Sequence, residues 1–490
     1  MKKVFLLIGV FLLLFGLNAA AEEKWAAAKL FEYTCVEEKD DNDSMELFAL
    51  SSNEIVARDL IAQGMRNHQT TINFSHCRIA RDRIFFVVIA AYLENPELYY
   101  VHDEYKYHYI TSGSSSYVFA VELTYLYTKE QVEVFDAVIE KEKQHVLSMM
   151  DSDMTDLEKV MLVHNYITVN HTYDYSYTIY NIYDFFTKRT GVCQAYALAM
   201  NYLLRAAGVE CAHAYSYEMN HDWNLVKFDG NWYHVDATWN DSGDNCSYKY
   251  FLKSDDEFVT NLGHYAWDSE YEATSAWYDD YYFTNYKSPF LYMDGEWYVQ
   301  KSGSLYKINN LKYGGSEKIF TPDASYKSNW YPTEDICFAV YKGSFIFNVQ
   351  NEVFVVNLKD YAKPRKIAGV ETAYHEVYNL YVNGDVLYYL SGSYAAEDMN
   401  SINLIGVVSP LWFEINDVSV SDGWVYLRYN YDQYYDGDWC IYVASYKDDT
   451  MIAIQALEKG KSAIAVPEAD RYEAFIWEGC MPLSGSVSTE

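Results

Sequence analysis

Residues 189–204 read RTGVCQAYALAMNYLL. A glycine stands two residues before Cys193, and the run CQAYALAMNYLLRAAG that follows has helical apolar spacing up to Gly208. The stretch predicts a glycine turn and then a helix opening at Cys193. A cysteine in that place is a disulfide partner, core filler or a nucleophile. Free backbone N–H groups and the helix dipole favour a thiolate there. The nucleophile reading then needs a base brought to the thiol by another part of the chain.

The next segments supply candidates. After a strand around VECAHAYSY, the runs HDWNLVKF (221–228) and WYHVDATW (232–239) flank Asp229-Gly230-Asn231, a strong hairpin signal. With Asp229 and Gly230 as a two-residue loop, Phe228 pairs with Asn231, Trp223 faces Asp236 and His221 faces Thr238. Strand alternation then puts His221, Trp223, His234 and Asp236 on one face. His221 and Asp236 become diagonal neighbours about 7–8 Å apart at Cα, within side-chain reach. A three-residue loop would turn one strand over and undo this. In the two-residue register His221 is a base for Cys193, and Asp236 orients the imidazole and fixes its tautomer. The backbone N–H of Cys193 is a donor to a developing oxyanion, while no side-chain donor for it is identifiable. His234, on the same face, is either an alternative base or a structural histidine, and His213 reads as structural. Cys193, His221 and His234 would suit zinc by ligand type. No tight ligand pair supports that reading, and no metal is expected.

Taken in order, GVCQAYA, HDWNLV and WYHVDATWND resemble the three signature blocks of the transglutaminase-like (papain-like) cysteine enzymes. The resemblance implies Cys193 as nucleophile, His221 as general base and Asp236 as orienting acid. Upstream, DLEKVMLVHNYITVNHTYDY resembles the lead-in helix of bacterial members; downstream, YKYFLKSDDEF followed by LGHYAWD resembles their closing segment. The likeness covers about 150–270 well and 50–150 weakly. Ala195 stands where many relatives have a second glycine, and alanine is small enough to leave the thiol usable. The implied fold is an α+β catalytic core. The implied chemistry is acyl transfer from a protein or peptide amide to Cys193, with the thioester resolved by an amine or water. Relatives include crosslinkers, deamidases, peptidases and inactive binding versions, and the blocks do not choose among them. No cofactor is implied. DSDMTD and KSDDEF are too short and irregular for calcium loops.

The remaining sequence sets the surroundings. Of 490 residues, the first 25, MKKVFLLIGVFLLLFGLNAAAEEKW, carry two lysines, an apolar run and Ala19-Ala20-Ala21. This reads as a signal peptide over 1–21 and predicts a secreted or periplasmic protein. The apolar run is short for a membrane span, and stable membrane insertion is not expected. A formal charge of -33 repels nucleic acid and anionic surfaces. Eight scattered cysteines without a C-x-x-C pair are too few for a disulfide scaffold, and Cys211 and Cys246 read as core or disulfide positions.

The expected organisation is a mixed α/β region at 22–145, the catalytic core at 146–288 and an all-β repeat domain at 289–490. NEIVARDLIAQGM and RIFFVVIAAYL read as helices, and Leu98–Tyr127 as hairpins broken at SGSSS. Val132, Phe135, Val138 and Ile139 are predicted to share one helix face. Thr155 and Glu158 have capping-box spacing before a helix that buries Val160, Leu162, Val163 and Ile167. Beyond 290, the turns in MDGEWYV, YKGSFIF, VNGDVLYYL and VSDGWVYL repeat, with Gly295, Gly343, Gly384 and Gly423 spaced by 48, 41 and 39 residues. Such a period suits stacked β-repeats, with a propeller-like arrangement as one reading. The expected partner is a protein or peptide substrate, a cell-wall peptide among them, and no nucleic acid. The competing reading is a non-catalytic protein that uses the same fold to bind a peptide or cell-wall component.

Overall fold

The structure is a computed structural model, and it describes residues 23–29, 50–112, 114–241, 246–322, 337–349, 351–357, 364–369, 376–393, 396–404, 414–430, 439–457, 460–478, 481–482 and 486–489. The signal peptide expected over 1–21, Cys35 and Cys480 lie outside these residues. The chain divides into two compact units, Met1–Asn285 and Tyr286–Glu490.

The first unit opens with β1 (Glu23–Lys29), α1 (Ser52–Arg66), β2 (Thr71–Asn73), β3 (Ile79–Ala80) and α2 (Ile84–Leu93). Next come the long strands β4 (Val101–Ser112) and β5 (Ser115–Tyr125). The sheet order is β1-β4-β5-β2, with β3 also on β5. Helix α2, IFFVVIAAYL, is apolar all round and accordingly buried along almost its whole length. α3 (Lys129–Ser148) follows, and its buried residues are Val132, Ile139 and Val146, whereas Val138 is 41% exposed. The buried stripe thus recurs every seventh residue, a narrower seam than the face expected from the sequence, because one side of this helix stays in solvent.

The core begins with α4 (Asp156–Asn170), where the expected capping box is present. Thr155 Oγ1 accepts from the Glu158 N–H at 3.4 Å, and Glu158 Oε2 accepts from the Thr155 N–H at 2.8 Å. Val160, Leu162, Val163 and Ile167 are all buried. β6 (Thr172–Tyr173), α5 (Ile182–Lys188) and β7 (Thr190–Gly191) lead into α6 (Cys193–Ala206), and Gly208 takes the left-handed conformation just beyond it. β8 (Glu210–Ser216), β9 (His221–Phe228), β10 (Asn231–Val235), α7 (Ala237–Asn240), β11 (Phe251–Lys253), α8 (Asp255–Thr260) and β12 (Trp267–Ser269) complete the core. The sheet runs β11-β10-β9-β8-β12 with antiparallel neighbours. Helix α6 lies on this sheet, and Asn224 Nδ2 of β9 donates to the Ala197 carbonyl at 3.1 Å.

In the second unit each of the four repeated turns is a hairpin that opens a sheet. The hairpins join Leu291–Met293 to Glu296–Lys301, Phe338–Tyr341 to Ser344–Val349, Glu376–Asn383 to Val386–Ser393, and Glu414–Ser421 to Trp424–Asn430. Successive sheets share cores. Phe338, Phe345 and Phe347 of the second sheet pack with Tyr298 and Leu305 of the first. The alternating residues Ala339, Tyr341 and Ile346 pack with Val377, Leu387 and Tyr389 of the third. No closed barrel or propeller is seen among the described residues, so the propeller-like expectation is not met. The repeat in the sequence encodes a hairpin, which is a local unit, and a hairpin does not dictate ring closure.

No helix among the described residues is long and apolar enough to cross a membrane.

Candidate active site

The start of α6 is fixed from both sides. Val192 N–H donates to the Ile179 carbonyl and Asp174 N–H to the Gly191 carbonyl, each at 2.9 Å. Asp174 in turn gathers the N–H groups of Ser176, Thr178 and Ile179 at 2.7–3.0 Å. Hydrogen bonds from Ser176 and Thr178 hold its carboxyl well below the usual carboxylate range. Gly191 is not at the expected turn, because it lies in β7 and pairs with Tyr173 of β6. Its need for glycine is steric: a Cβ there would lie 2.6 Å from Phe185 Cδ2 and 2.7 Å from Ala195 Cβ. The N-cap residue of α6 is Val192, which has no side-chain acceptor, so the N-cap residue leaves the first-turn N–H groups at Cys193 uncapped.

The hairpin has the expected register, with Phe228 opposite Asn231 and Asn224 opposite Val235. Asp229 and Gly230 both have positive φ, 51° and 79°, as a two-residue primed turn requires. Beyond Val235 the chain leaves the strand, and Asp236 becomes the N-cap of α7, its Oδ1 accepting from the Trp239 N–H at 2.9 Å. Its Oδ2 lies 2.6 Å from His221 Nε2. With Nε2 committed to Asp236, Nδ1 is the nitrogen left for Cys193, which lines the same cavity. Burial pulls the His221 pKa down, but the Asp236 charge and the bonds from Asp236 and Cys193 outweigh it, and the value rises to about 10. Burial pushes Asp236 up, and His221 with His264 holds it well below the usual carboxylate range. The His221 ring stacks on Trp223 at 5.5 Å and on Trp239 at 5.1 Å. Cys193 is a partly exposed free thiol. Cys193, His221 and Trp239 line one cavity of about 370 Å³.

The other candidates lie elsewhere. His234 is fully buried, its Nδ1 accepting from Trp223 Nε1–H at 3.0 Å and its Nε2 lying 2.7 Å from Asp255 Oδ1. Both ring nitrogens are therefore taken, and its position is structural. His213 Nδ1 lies 3.2 Å from Asp222 Oδ1. Cys211 and Cys246 are free thiols, pushed up by burial to directions of low reactivity.

Two participants were not singled out in the sequence. His264, in the LGHYAWD segment, is 0% exposed and places Nε2 3.0 Å from Asp236 Oδ2. Asp236 Oδ2 is an acceptor, so Nε2 is the nitrogen that carries a proton toward it. His164 of α4 accepts from Asn240 Nδ2 at 3.0 Å, and burial lowers its pKa to about 4. It thereby anchors α7, the turn that Asp236 caps. No spacing rule connects either histidine to Asp236. His221, Asp236 and His264 form a three-ligand group, with ligand atoms within 4.8 Å of one another. Both imidazoles are directed to the same Asp236 oxygen rather than to a shared centre, so the trio reads as a hydrogen-bond network. The zinc set of Cys193, His221 and His234 is not assembled.

A thiol at an uncapped helix start, an imidazole and a buried carboxylate on a neighbouring hairpin define a cysteine-enzyme type of site. Residues 143–237 match the Transglutaminase-like superfamily. The chain therefore carries a transglutaminase-like domain, and that span contains Cys193, His221 and Asp236. No curated protein matches the chain. Among solved structures, one described as a TGase is 15% identical and aligns over 28% of this chain and 44% of its own, with a TM-score of 0.20. A Cytophaga hutchinsonii protein provisionally assigned as a cysteine protease is 19% identical over 27% of this chain and 57% of its own, with a TM-score of 0.19. The extracellular domain of a provisionally assigned hybrid two component system from B. thetaiotaomicron is 10% identical over 52% of this chain and 39% of its own, with a TM-score of 0.17. The family match supports a catalytic cysteine enzyme in general terms.

Proposed function

We propose that the chain is an exported cysteine enzyme that acts on protein or peptide amides, cell-wall peptides among them, through a thioester at Cys193. The observation that carries the reading is the position of His221, bonded through Nε2 to Asp236 and lining one cavity with Cys193. His221, raised to about 10, already holds on Nδ1 the proton given up by the thiol, and the sulfur attacks the amide carbonyl carbon. Backbone N–H groups at the start of α6 receive the developing oxyanion. Collapse breaks the C–N bond, and the imidazolium returns its proton to the departing amine. Water or a second amine then attacks the thioester with His221 again as base, which releases the acyl group and restores the thiol. Asp236 holds the imidazole in the tautomer that leaves Nδ1 free to act.

Brief iodoacetamide treatment of the native protein, read by intact mass and peptide mapping, tests this. Cys193 should label alone, and faster than it does in the urea-unfolded chain, with Cys193→Ala as the control. Screening for crosslinking, deamidation and proteolysis follows from that result. A native Cys193 that reacts no faster than its unfolded counterpart would refute the catalytic reading in favour of a binding protein.

A further inference from the structure

We infer that helix α2 sets the substrate class of this site: an apolar side chain beside the reacting carbonyl, seated against Ile89 and Leu93. The inference rests on the thioester reading above and adds a selectivity to it.

Helix α2 lies outside residues 143–237, yet Ile89 and Leu93 line the Cys193 cavity. Val192, Tyr215 and Met219 continue that apolar side. The wall is tied to the helix that carries the thiol, because Arg205 Nη1 of α6 donates to the Glu94 carbonyl at 2.7 Å, one residue past the end of α2. Arg58 of α1 holds the Glu94 carboxylate at 2.9 Å, and Asn95 Nδ2 donates to the Ala91 carbonyl at 2.7 Å. Phe86 of α2 packs with Tyr215 of β8. The distance from this wall to Cys193 is thereby fixed by helix–helix and helix–sheet contacts rather than by a free loop.

The charges in the cavity point the same way. Among the described residues no lysine or arginine lines it, and Asp222 is the one carboxylate that does. Asp222 is 3% exposed, and one of its oxygens is already engaged by His213 at 3.2 Å. An acidic substrate side chain would be desolvated beside a His221 charge already paired with Asp236, and a basic one would find only a buried, occupied carboxylate. An apolar side chain loses nothing by leaving water and meets Ile89 and Leu93. The cavity, about 370 Å³, is at the small end for ligand sites and suits a single residue beside the carbonyl.

The test uses peptidyl acyloxymethyl ketones that share one leader and differ only in the residue bearing the ketone: Leu, Phe, Gly, Gln, Lys or Glu. The Cys193 sulfur displaces the carboxylate leaving group at the methylene carbon, so that a C–S bond forms and a C–O bond breaks. Intact mass of the full chain gives each labelling rate, divided by the iodoacetamide rate of the same protein. The Leu and Phe probes should label at least about tenfold faster than Gly, Gln, Lys and Glu, the size expected of apolar pocket discrimination. Leu93→Ala should lower the Leu-to-Gly ratio about tenfold without changing the iodoacetamide rate. Leu93→Met, which conserves volume, should keep most of the ratio and guards against a folding defect in the alanine variant. Fastest labelling by the Gln, Lys or Glu probe, or an unchanged ratio in Leu93→Ala, overturns the inference and leaves the thioester reading standing. A Cys193 unreactive even to iodoacetamide overturns both.

Discussion

Replacing His264 by phenylalanine isolates one bond in the site. The His264 side chain is 0% exposed and surrounded by Trp223, Trp239 and Phe258, so phenylalanine keeps the ring and deletes the donor. The deleted bond reaches Asp236 Oδ2 at 3.0 Å. A hydrogen bond to a charged group is worth about 1.5–3 kcal/mol, so His264→Phe should destabilise the chain by about 2 kcal/mol. Asp236→Ala should cost more, about 3–5 kcal/mol, because it strands both imidazole donors and the Trp239 N–H. In the Asp236→Ala background the sign for His264→Phe should reverse. There the His264 N–H is already a buried orphan, and removing it relieves about 1 kcal/mol or more. The two substitutions should therefore couple by more than about 2 kcal/mol, well outside the 0.3–0.5 kcal/mol scatter of independent sites. Urea unfolding of the four proteins measures the cycle, and the iodoacetamide rate of Cys193 shows whether the effect reaches the thiol. A positioning role predicts a slower Cys193 in His264→Phe and partial recovery in His264→Gln, whose amide restores a donor. Equal costs of His264→Phe in both backgrounds would refute the reasoning and leave His264 as aromatic packing.

Other perturbations test the remaining parts of the site. His221 is raised to about 10 from an ordinary value near 6.5, so its contribution to stability is complete below about pH 6.5 and is lost as pH rises through about 10. The thermal midpoint should fall across that window, and by less in His221→Gln. Gly191→Ala forces a Cβ to 2.6 Å from Phe185, which should cost about 1–3 kcal/mol in urea unfolding and slow Cys193 alkylation by shifting the start of α6. Asp236→Asn is not conservative, because its amide must face either the Trp239 N–H or the two imidazoles. The second orientation drives His221 to the tautomer with its proton on Nδ1, and alkylation should fall towards the rate of His221→Ala. One glycine inserted after Gly230 should turn the face of β10 over and remove Asp236 from His221, with the same loss of Cys193 reactivity. Unchanged alkylation in this insertion would show that the hairpin register does not assemble the site.

The parts of this site that were legible are those set by local rules. Asp229-Gly230 dictates a two-residue turn, and the turn with period-two alternation sets the register as far as the pairing of Asn224 with Val235. The expected pairings of Trp223 with Asp236 and His221 with Thr238 give way to the α7 N-cap that turns Asp236 to His221. Thr155 and Glu158 announce the start of α4 in the same way. What was misread depends on side-chain packing that no local spacing rule states. Gly191 looks like a turn, but its reason is the Phe185 ring and the Ala195 Cβ packed against it. The buried stripe of α3 is narrower than its apolar residues suggest, because how much of a helix faces the core is decided by what covers it. The glycine repeats beyond 290 state four hairpins correctly, and they carry no information on how sheets close.

His264 and α2 expose a further division. Both lie outside the span that matches the Transglutaminase-like superfamily, and both act on groups inside it. Asp236 has two oxygens and three donors: Oδ1 is spent on capping α7, so His221 and His264 must share Oδ2. That sharing fixes the rotation of the carboxylate, and with it the nitrogen that His221 presents to Cys193. Ile89 and Leu93 line the cavity on which Cys193 opens. The chemistry of the three blocks and its setting are thus encoded in separate stretches of the chain. Substitutions in α2 should accordingly alter which probe reacts, and substitutions at His264 should alter how fast every probe reacts.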